Sequence, residues 1–503
     1  MAVFRPGAAR AARDVAVWLD ERLGLARWLR PTLRKLFPGH WSFLLGELAL
    51  YAFALLVLTG AFLTLFYEPS ATGAYPSVRG LSLEIRGGLL VRGLHHWSAT
   101  VFVLAIVAHL CRVFFTGAFR RPREAAWVLG VVIFGLVLVE AFLGVSLPAD
   151  RLGFTGLREA QGLLLSVPVA GAYVSRLLFG GDFPGTAVPR LFVAHVLLVP
   201  GVLLAAVPLH ALVLTWRQGH TERRGGGVTG RQGHTERRGG GVTGRQGDTG
   251  RRGEGVTGRE SGTRRPGEGA SRRQGEGGRR EVGVPAAESR VSGGPFFPSF
   301  VARNAGTALA TAAAIALAAT LFPVGAGWAG HHGPYHPGAP PPSAQPFWYA
   351  GVLEGALRLA PPWEVTVGSY TLPVGLWIPP LVLGAFFLAL LAYPFAERRV
   401  TGDRGVHHLL DRPARAPGRT ALGVAVLVLL AVLWAGTWVS VIPPDPWSPQ
   451  PTLVTTEEIY RGIVYGLRAA VFVLPVAAYA LTRAWCHRRA RRHPESPGEV
   501  RTS

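Results

Sequence analysis

The chain has 503 residues, 49% of them hydrophobic and only 16% charged, against roughly 25% charged in an ordinary soluble domain. With 14 Trp and 25 Phe, this composition excludes a solvated, disordered chain and points to a membrane protein. A formal net charge of +22 would suit a nucleic-acid binder, but the arginines stand in blocks between apolar runs, as in the loops of a membrane protein, and no nucleic-acid partner is expected.

Residues 1–41 form a polar amino-terminal segment. Within it 8–36, "AARAARDVAVWLDERLGLARWLRPTLRKL", reads as an amphipathic helix lying on the cytoplasmic lipid surface as an anchor. No cleavable signal peptide is expected, because the first apolar run begins only near residue 42 and no short apolar core with a small-residue cleavage site precedes it.

A hydrocarbon core of about 30 Å takes roughly 20 helical residues to cross. Runs of that length lie at 42–66, 89–115, 125–147, 189–215, 302–322, 373–396, 420–442 and 458–485. The expected fold class is therefore an all-α integral membrane protein with eight transmembrane helices. A four-helix domain at 42–216 precedes a second group of four at 293–485, with a basic tail at 486–503. Every second connection is arginine-rich: Arg5 to Lys35, "FRRPRE" at 119–124, the stretch 217–290, "ERRVTGDRGVHHLLDRPARAPGR" at 397–419, and "HRRARRH" at 487–493. The positive-inside bias then places both termini in the cytoplasm of a cell (plasma) membrane protein.

The segment 217–292 stands apart. "RQGHTERRGGGVTG" at 217–230 recurs unchanged at 231–244 and then decays, with a period of 14 residues. Such a Gly/Arg tract has little apolar surface to bury and is expected to be disordered, as a tolerated repeat expansion in a cytoplasmic loop; RNA or anionic lipid binding is the functional alternative.

The apolar runs carry groups that lipid penalises, and these usually face a cavity, a partner or a cofactor. In the second run His95 and His109 are 14 residues apart, which is about 40° short of four helical turns and about 21 Å of rise. In the fourth, His195 and His210 are 15 apart, about 60° past four turns and about 22 Å of rise. Both helices run in the same direction, so His95 and His195 share one depth and His109 and His210 another. Two histidines facing across a bundle interior can supply both axial ligands of a haem iron, and two such pairs imply two haems in a four-helix haem-binding bundle. A lone intramembrane histidine would more plainly be a hydrogen-bonded helix contact, and His96 is assigned to packing. Cys111 and Cys486 fall near helix ends with no C-x-x-C-H motif, so the haems would be non-covalent.

Arg92 and Arg112 stand three residues from a histidine, within reach of haem propionates or of the lipid head groups. Gly46 and Gly60 in the first run, and Gly130 and Gly144 in the third, are again 14 apart, and glycine lets a flat macrocycle approach the backbone. Helix direction matches Gly46 and Gly130 to the inner pair and Gly60 and Gly144 to the outer one. Helix packing alone would also place glycines in membrane spans.

With "RGLHH…HLCR" on the second run, "H…P…H" on the fourth, the glycine pairs, "SVPVAGAYV" at 166–174 and "PFWYAGVLEGALRLAPPWE" at 346–364, the chain resembles the cytochrome b subunit of respiratory cytochrome bc complexes. "GGLLVRGLHHW", "HLCRVFFTGAFRRPRE" and "LLFGGDFPGT" are similar to the actinobacterial branch. The resemblance implies a menaquinol:cytochrome c reductase core with two b-type haems, oxidising menaquinol at an outer site and reducing menaquinone at an inner one. Implied partners are a Rieske iron–sulfur subunit, a cytochrome c subunit and a terminal oxidase in one supercomplex, in a homodimeric assembly embedded in membrane lipid.

Family members carry Pro-Glu-Trp-Tyr, or Asp for Glu, at the outer site, where a base must take the quinol protons. Here the residues are Pro346, Phe347, Trp348 and Tyr349, and phenylalanine accepts no proton. Glu354, or Tyr349 with water at a reduced rate, is the candidate substitute, with Pro168 lining the same pocket. The alternatives are a divergent paralogue with an impaired outer site, or a di-haem anchor of another quinone-linked oxidoreductase. The resemblance suggests His220 and Asn304 for the inner quinone site. His331, His332 and His336 lie in an outer loop, read as solvated rather than metal-binding.

Overall fold

The computed structural model describes residues 41–216, 300–324, 333–337, 348–407, 410–441 and 456–492 apart from Asp182 and Ser369, with short pieces within 14–24 and at 36–38, 221–223, 288–289 and 291–295. Most of the repeat, and with it His220, lies outside the described residues, as do Pro346, Phe347, His331 and His332.

Among the described residues, eight helices are long and apolar enough to cross a membrane. They are α1 (Leu44–Thr64), α3 (Gly88–Phe115), α4 (Glu124–Ser146), the composite α7 (Ala187–Val193) and α8 (Val199–Trp216), α9 (Val301–Leu321), α11 (Val374–Thr401), α12 (Pro417–Ala435) and α13 (Thr456–Arg492). Apolar residues surround each helix rather than forming one stripe, which suits a helix solvated by lipid on one side and by neighbours on the other. Leu58, Leu197, Leu388 and Phe472 accordingly point outward. In water their exposure would be costly; in hydrocarbon it is neutral.

The fourth span differs from a plain helix. Between α7 and α8 the residues Ala194–Leu198 form a π turn that contains His195. A π turn closes on i→i+5 and so absorbs one extra residue without advancing the helix face. The 15-residue spacing of His195 and His210 then behaves like 14, and the pair returns to about 40° short of four turns, as in α3. The expected offset between the two histidine pairs is thereby corrected.

Helix α1 packs along α3, α4 along α8, and α9 against α1 and α3, while α12 pairs with α13. The core between them is Phe53, Phe102, Val103, Val137, Leu203 and Ile315. Indole donors tie spans together: Trp127 Nε1 donates to the Leu390 carbonyl at 2.6 Å, and Trp97 Nε1 to the Phe322 carbonyl at 3.1 Å.

Connections after the first, third and fifth spans carry short helices: α2 (Ala74–Leu83), α5 (Arg151–Leu165), α6 (Ala170–Phe179) and α10 (Gly351–Leu359). A hairpin of β5 (Val365–Val367) and β6 (Tyr370–Leu372) follows. Asp150 caps α5, accepting from Gly153 N at 2.7 Å, and pairs in a bridge with Pro334. Between α5 and α6, Ala170 N donates to the Pro168 carbonyl at 2.7 Å, and Val169 at the centre of that tight turn has φ +64°. A β-branched residue in that conformation is strained.

Connections after the second and sixth spans meet in an ionic knot. Arg419 is almost wholly buried and pairs with Glu397 at 2.9 Å and with Asp411, while Arg120 reaches Asp411 at 2.6 Å. His407 N donates to the Arg121 carbonyl at 2.9 Å. Short strands lie at the margins of the segment read as an unstructured insertion: β2 (Thr221–Arg223), β3 (Glu288–Ser289) and β4 (Val291–Pro295). β4 pairs with β1 (Leu36–Pro38) on one side and β2 on the other, and β3 pairs with β7 (Leu410–Asp411).

Arg419→Leu should cost about 3 kcal/mol by taking away the partner of the half-buried Glu397 and leaving Asp411 to Arg120 alone, seen as a lower midpoint in a thermal unfolding assay of the detergent-purified protein, with Arg419→Lys in between. Val169→Gly should raise that midpoint, by about 1 kcal/mol of relieved strain; a lowered midpoint would show the turn to be unstrained.

Candidate functional site

Each of the four intramembrane histidines stands against a glycine of a neighbouring helix. A Cβ placed on Gly60 would lie 3.2 Å from His95 Cε1, and on Gly144 2.6 Å from His195 Cε1. At the other end of the bundle, a Cβ on Gly46 would lie 3.2 Å from His109 Cε1, and on Gly130 3.2 Å from His210 Cε1. The rings thus occupy the space that any other side chain would fill. α1 supplies the glycines facing α3, and α4 those facing the fourth span, so the four spans form one bundle with histidines at two levels.

At the first level the rings of His95 and His195 have centres 6.4 Å apart, at 80° to one another. An imidazole nitrogen binds a first-row metal at about 2 Å, and the ring centre lies about 1.2 Å behind it, so two rings on opposite sides of one metal stand roughly 6.4 Å apart. The Nδ1 atom of each ring meets a side chain of a neighbouring helix. Thr59 Oγ1 donates to the Leu55 carbonyl at 2.6 Å and lies 2.9 Å from His95 Nδ1, so it accepts from the ring, leaving Nε2 with the lone pair a metal needs. Glu140 Oε1 lies 2.9 Å from His195 Nδ1.

At the second level His109 Nδ1 is buried without a partner among the described residues. The Arg112 guanidinium stacks over Phe43 at 3.9 Å, and its Nε and Nη2 are likewise buried and unpartnered among them. Buried donors are nearly always satisfied. A guanidinium in this state beside a glycine-lined histidine pair fits a carboxylate-bearing flat group such as a haem propionate. Arg92 at the opposite end donates to Ser82 Oγ at 3.0 Å. The residues present therefore fit two haems: glycine cradles, opposed imidazoles and a basic side chain awaiting an anion. No cluster of three or more His, Cys, Asp or Glu side chains occurs among the described residues.

Near His95 and His195, Trp348 and Tyr349 pack on the main core. Tyr349 OH donates to the Ala141 carbonyl at 3.2 Å, beside Glu140, and Trp434 Nε1 donates to the Trp348 carbonyl at 2.9 Å. Burial pushes the Tyr349 phenol well above its ordinary value. Glu354 is not a free carboxylate: Arg358 Nη2 lies 2.8 Å from its Oε1, and Arg358 also reaches the Thr437 carbonyl. Glu159 on α5 shares this neighbourhood; burial first, then the Glu354 charge, raise its pKa, and Arg358 pulls it back.

Near His109, Asn304 Oδ1 is buried without a partner among the described residues. The adjacent Arg303 pairs with Glu47 at 3.3 Å, and Tyr51 lies within electrostatic reach of both. Sequence reasoning missed Thr59, Glu140, Glu47, Tyr51 and Glu159. Glu47 and Glu140 had a signal, since each is a carboxylate inside a lipid-length apolar run. Thr59 had none, because hydroxyls are common in membrane spans and bond their own helix.

Residues 100–234 match a family model described as Cytochrome b(N-terminal)/b6/petB. The cytochrome b subunit of the cytochrome bc1 complex of Streptomyces coelicolor is 35% identical over 498 residues, covering 95% of this chain and 78% of that protein. Its counterpart in Corynebacterium diphtheriae is 36% identical over 433 residues, covering 82% and 69%, and that of Mycobacterium tuberculosis H37Rv is 35% identical over 497, covering 95% and 77%. Among solved structures, a chain of a "Hyperthermophilic respiratory Complex III" aligns with a TM-score of 0.58 at 19% identity, over 93% of this chain and 99% of that one, which shows a shared fold. Identity at this level along nearly the whole length, over a bundle with paired histidines and glycines, means that the chain belongs to the family of cytochrome b subunits of bc1-type quinol:cytochrome c oxidoreductase complexes.

Proposed function

We propose that this subunit binds two b-type haems, His95 and His195 holding the outer iron and His109 and His210 the inner one, in a menaquinol:cytochrome c reductase. The observation that carries the reading is the contact of all four histidine rings with glycines, together with the 6.4 Å separation of the His95 and His195 ring centres. When bound, the haems supply one-electron transfer between two quinone sites on opposite sides of the membrane.

The chain's own residues do the rest. Gly46, Gly60, Gly130 and Gly144 keep the macrocycle planes clear of Cβ atoms. Arg112 compensates propionate charge at the inner level, and Arg92, by way of Ser82, does so near the outer one. The arginine blocks put both termini on the cytoplasmic side of the plasma membrane, and define inner and outer accordingly.

At the outer site Pro346, Trp348 and Tyr349 bound the pocket for menaquinol, with the strained turn at Pro168–Val169 on its rim. Phenylalanine at 347 removes the carboxylate that would accept a quinol proton there. Glu354 is tied to Arg358, so it accepts a proton only by loosening that pair. Glu159, within electrostatic reach of Glu354 and with its pKa raised by burial, is the next acceptor. This reading keeps the outer site working at a reduced rate. The second reading, a cytochrome b whose outer site is disabled, is favoured by Phe347 alone. At the inner site, Asn304 and the Glu47–Arg303 pair present polar groups to menaquinone, together with His220. A Rieske subunit, a cytochrome c subunit and a terminal oxidase complete the electron path, with a second copy of the chain forming the dimer.

Reduced-minus-oxidised spectra of the purified complex should show two b haems per chain. His95→Ala or His195→Ala should each lose one haem, His109→Ala or His210→Ala the other, and Gly144→Val should reduce occupancy at the outer level; full haem content in all of these variants rejects the assignment. Menaquinol with the Rieske partner present should reduce the haems through the outer site, at a rate lowered severalfold by Glu354→Gln, and reduction only by an inner-site route would establish the disabled-site reading instead.

A further inference from the structure

Glu140 has no part in the two-haem reading as set out above, and nothing in lipid packing accounts for it. It lies on α4, an otherwise apolar span, where an ionisable side chain is costly and marks a functional group by default. Its Oε1 lies 2.9 Å from His195 Nδ1, with both side chains 17% exposed, and its Oε2 is buried without a partner among the described residues. The π turn that carries His195 brings the ring to this carboxylate, against Gly144 one helical turn further along α4.

The other three rings are treated differently. His95 Nδ1 meets a neutral hydroxyl, that of Thr59, at 2.9 Å, and His109 Nδ1 has no partner among the described residues. His210 Nδ1 likewise has no hydrogen-bond partner among the described residues. Of the four intramembrane histidines, His195 is the one with a carboxylate oxygen this close to its Nδ1 among the described residues. A carboxylate on the distal nitrogen of a metal-bound imidazole fixes the ring and its tautomer and makes it a stronger electron donor. That stronger donation favours the oxidised iron over the reduced one.

We propose that Glu140 is a positioning residue for His195 that lowers the reduction potential of the outer iron relative to the inner one. The inference rests on the two-haem reading and adds to it a residue of the third span. The resulting bias drives electrons inward, from the level where quinol is oxidised toward the level where quinone is reduced. Arg92, at the same end of the bundle, is held by Ser82 at 3.0 Å and does not contact Glu140.

The test is a redox titration of the detergent-purified complex, followed at the b-haem absorption bands, in wild type, Glu140→Gln and Glu140→Asp. Glu140→Gln should keep two haems and shift one oxidised-to-reduced equilibrium about tenfold toward the reduced form, roughly 59 mV for one electron. The other midpoint should stay in place, and Glu140→Asp should fall between. The same variant should alter the electron-paramagnetic-resonance signal of one ferric haem only. Unmoved midpoints, or equal movement of both, would overturn the proposal. Should Glu140→Gln lose the outer haem, Glu140→Asp carries the test, and an unshifted midpoint there overturns it equally. A wild-type complex without haem would instead remove the two-haem reading itself.

Discussion

An imidazole ring in a membrane span can lie flat against a neighbouring helix only where that helix has no Cβ. This steric condition organises the amino-terminal half of the protein. Gly46, Gly60, Gly130 and Gly144 each accept one histidine ring. Because the glycines recur every 14 residues, the cradles fall at two depths on one face of α1 and one face of α4. The histidines must recur in step with them. On α3 they do so with ordinary helical geometry, and on the fourth span the π turn at Ala194–Leu198 restores the step that a fifteenth residue would break.

The remainder of the chain serves to hold that bundle at both ends. On one side α9 lies against α1 and α3 and brings Arg303 to Glu47, while the knot of Arg419, Glu397, Asp411 and Arg120 pins the loop before α12 to the loop after α3. Buried ion pairs add little net stability, but they are costly to break, and so they fix a register. On the other side, the bridge from Asp150 to Pro334 and the bond from Tyr349 to Ala141 fasten the loops over the His95 level. Function then divides between a rigid interior and a polar surround. The four rings and their glycines provide geometry, and the groups behind the rings, a hydroxyl at His95 and a carboxylate at His195, provide electrostatic difference.

Much of this was legible in the chain itself. Eight runs of lipid length, alternating basic loops, and paired histidines and glycines at matched spacing follow from local rules, since hydrophobic length and helical period act on neighbours in sequence. Span limits therefore agree to within a few residues, except where α11 and α13 continue beyond the expected ends as polar helix and where α12 gives way to a 3₁₀ helix after Ala435. The partners of Glu140, the hydroxyl of Thr59 behind His95, the pairing of Glu354 with Arg358 toward Thr437, and the knot at Arg419 join residues of different spans or loops, and no local period encodes them. The π turn is intermediate: the 15-residue spacing announces an irregularity, but its location at His195 depends on how α4 and the fourth span pack. The sequence by itself determined a membrane-spanning helical protein and which residues face its interior, because lipid penalises polar groups wherever they occur. Only the tertiary structure decided which ring meets which glycine and which polar atom stands behind it, because those contacts are set by helix packing across tens of residues of intervening chain.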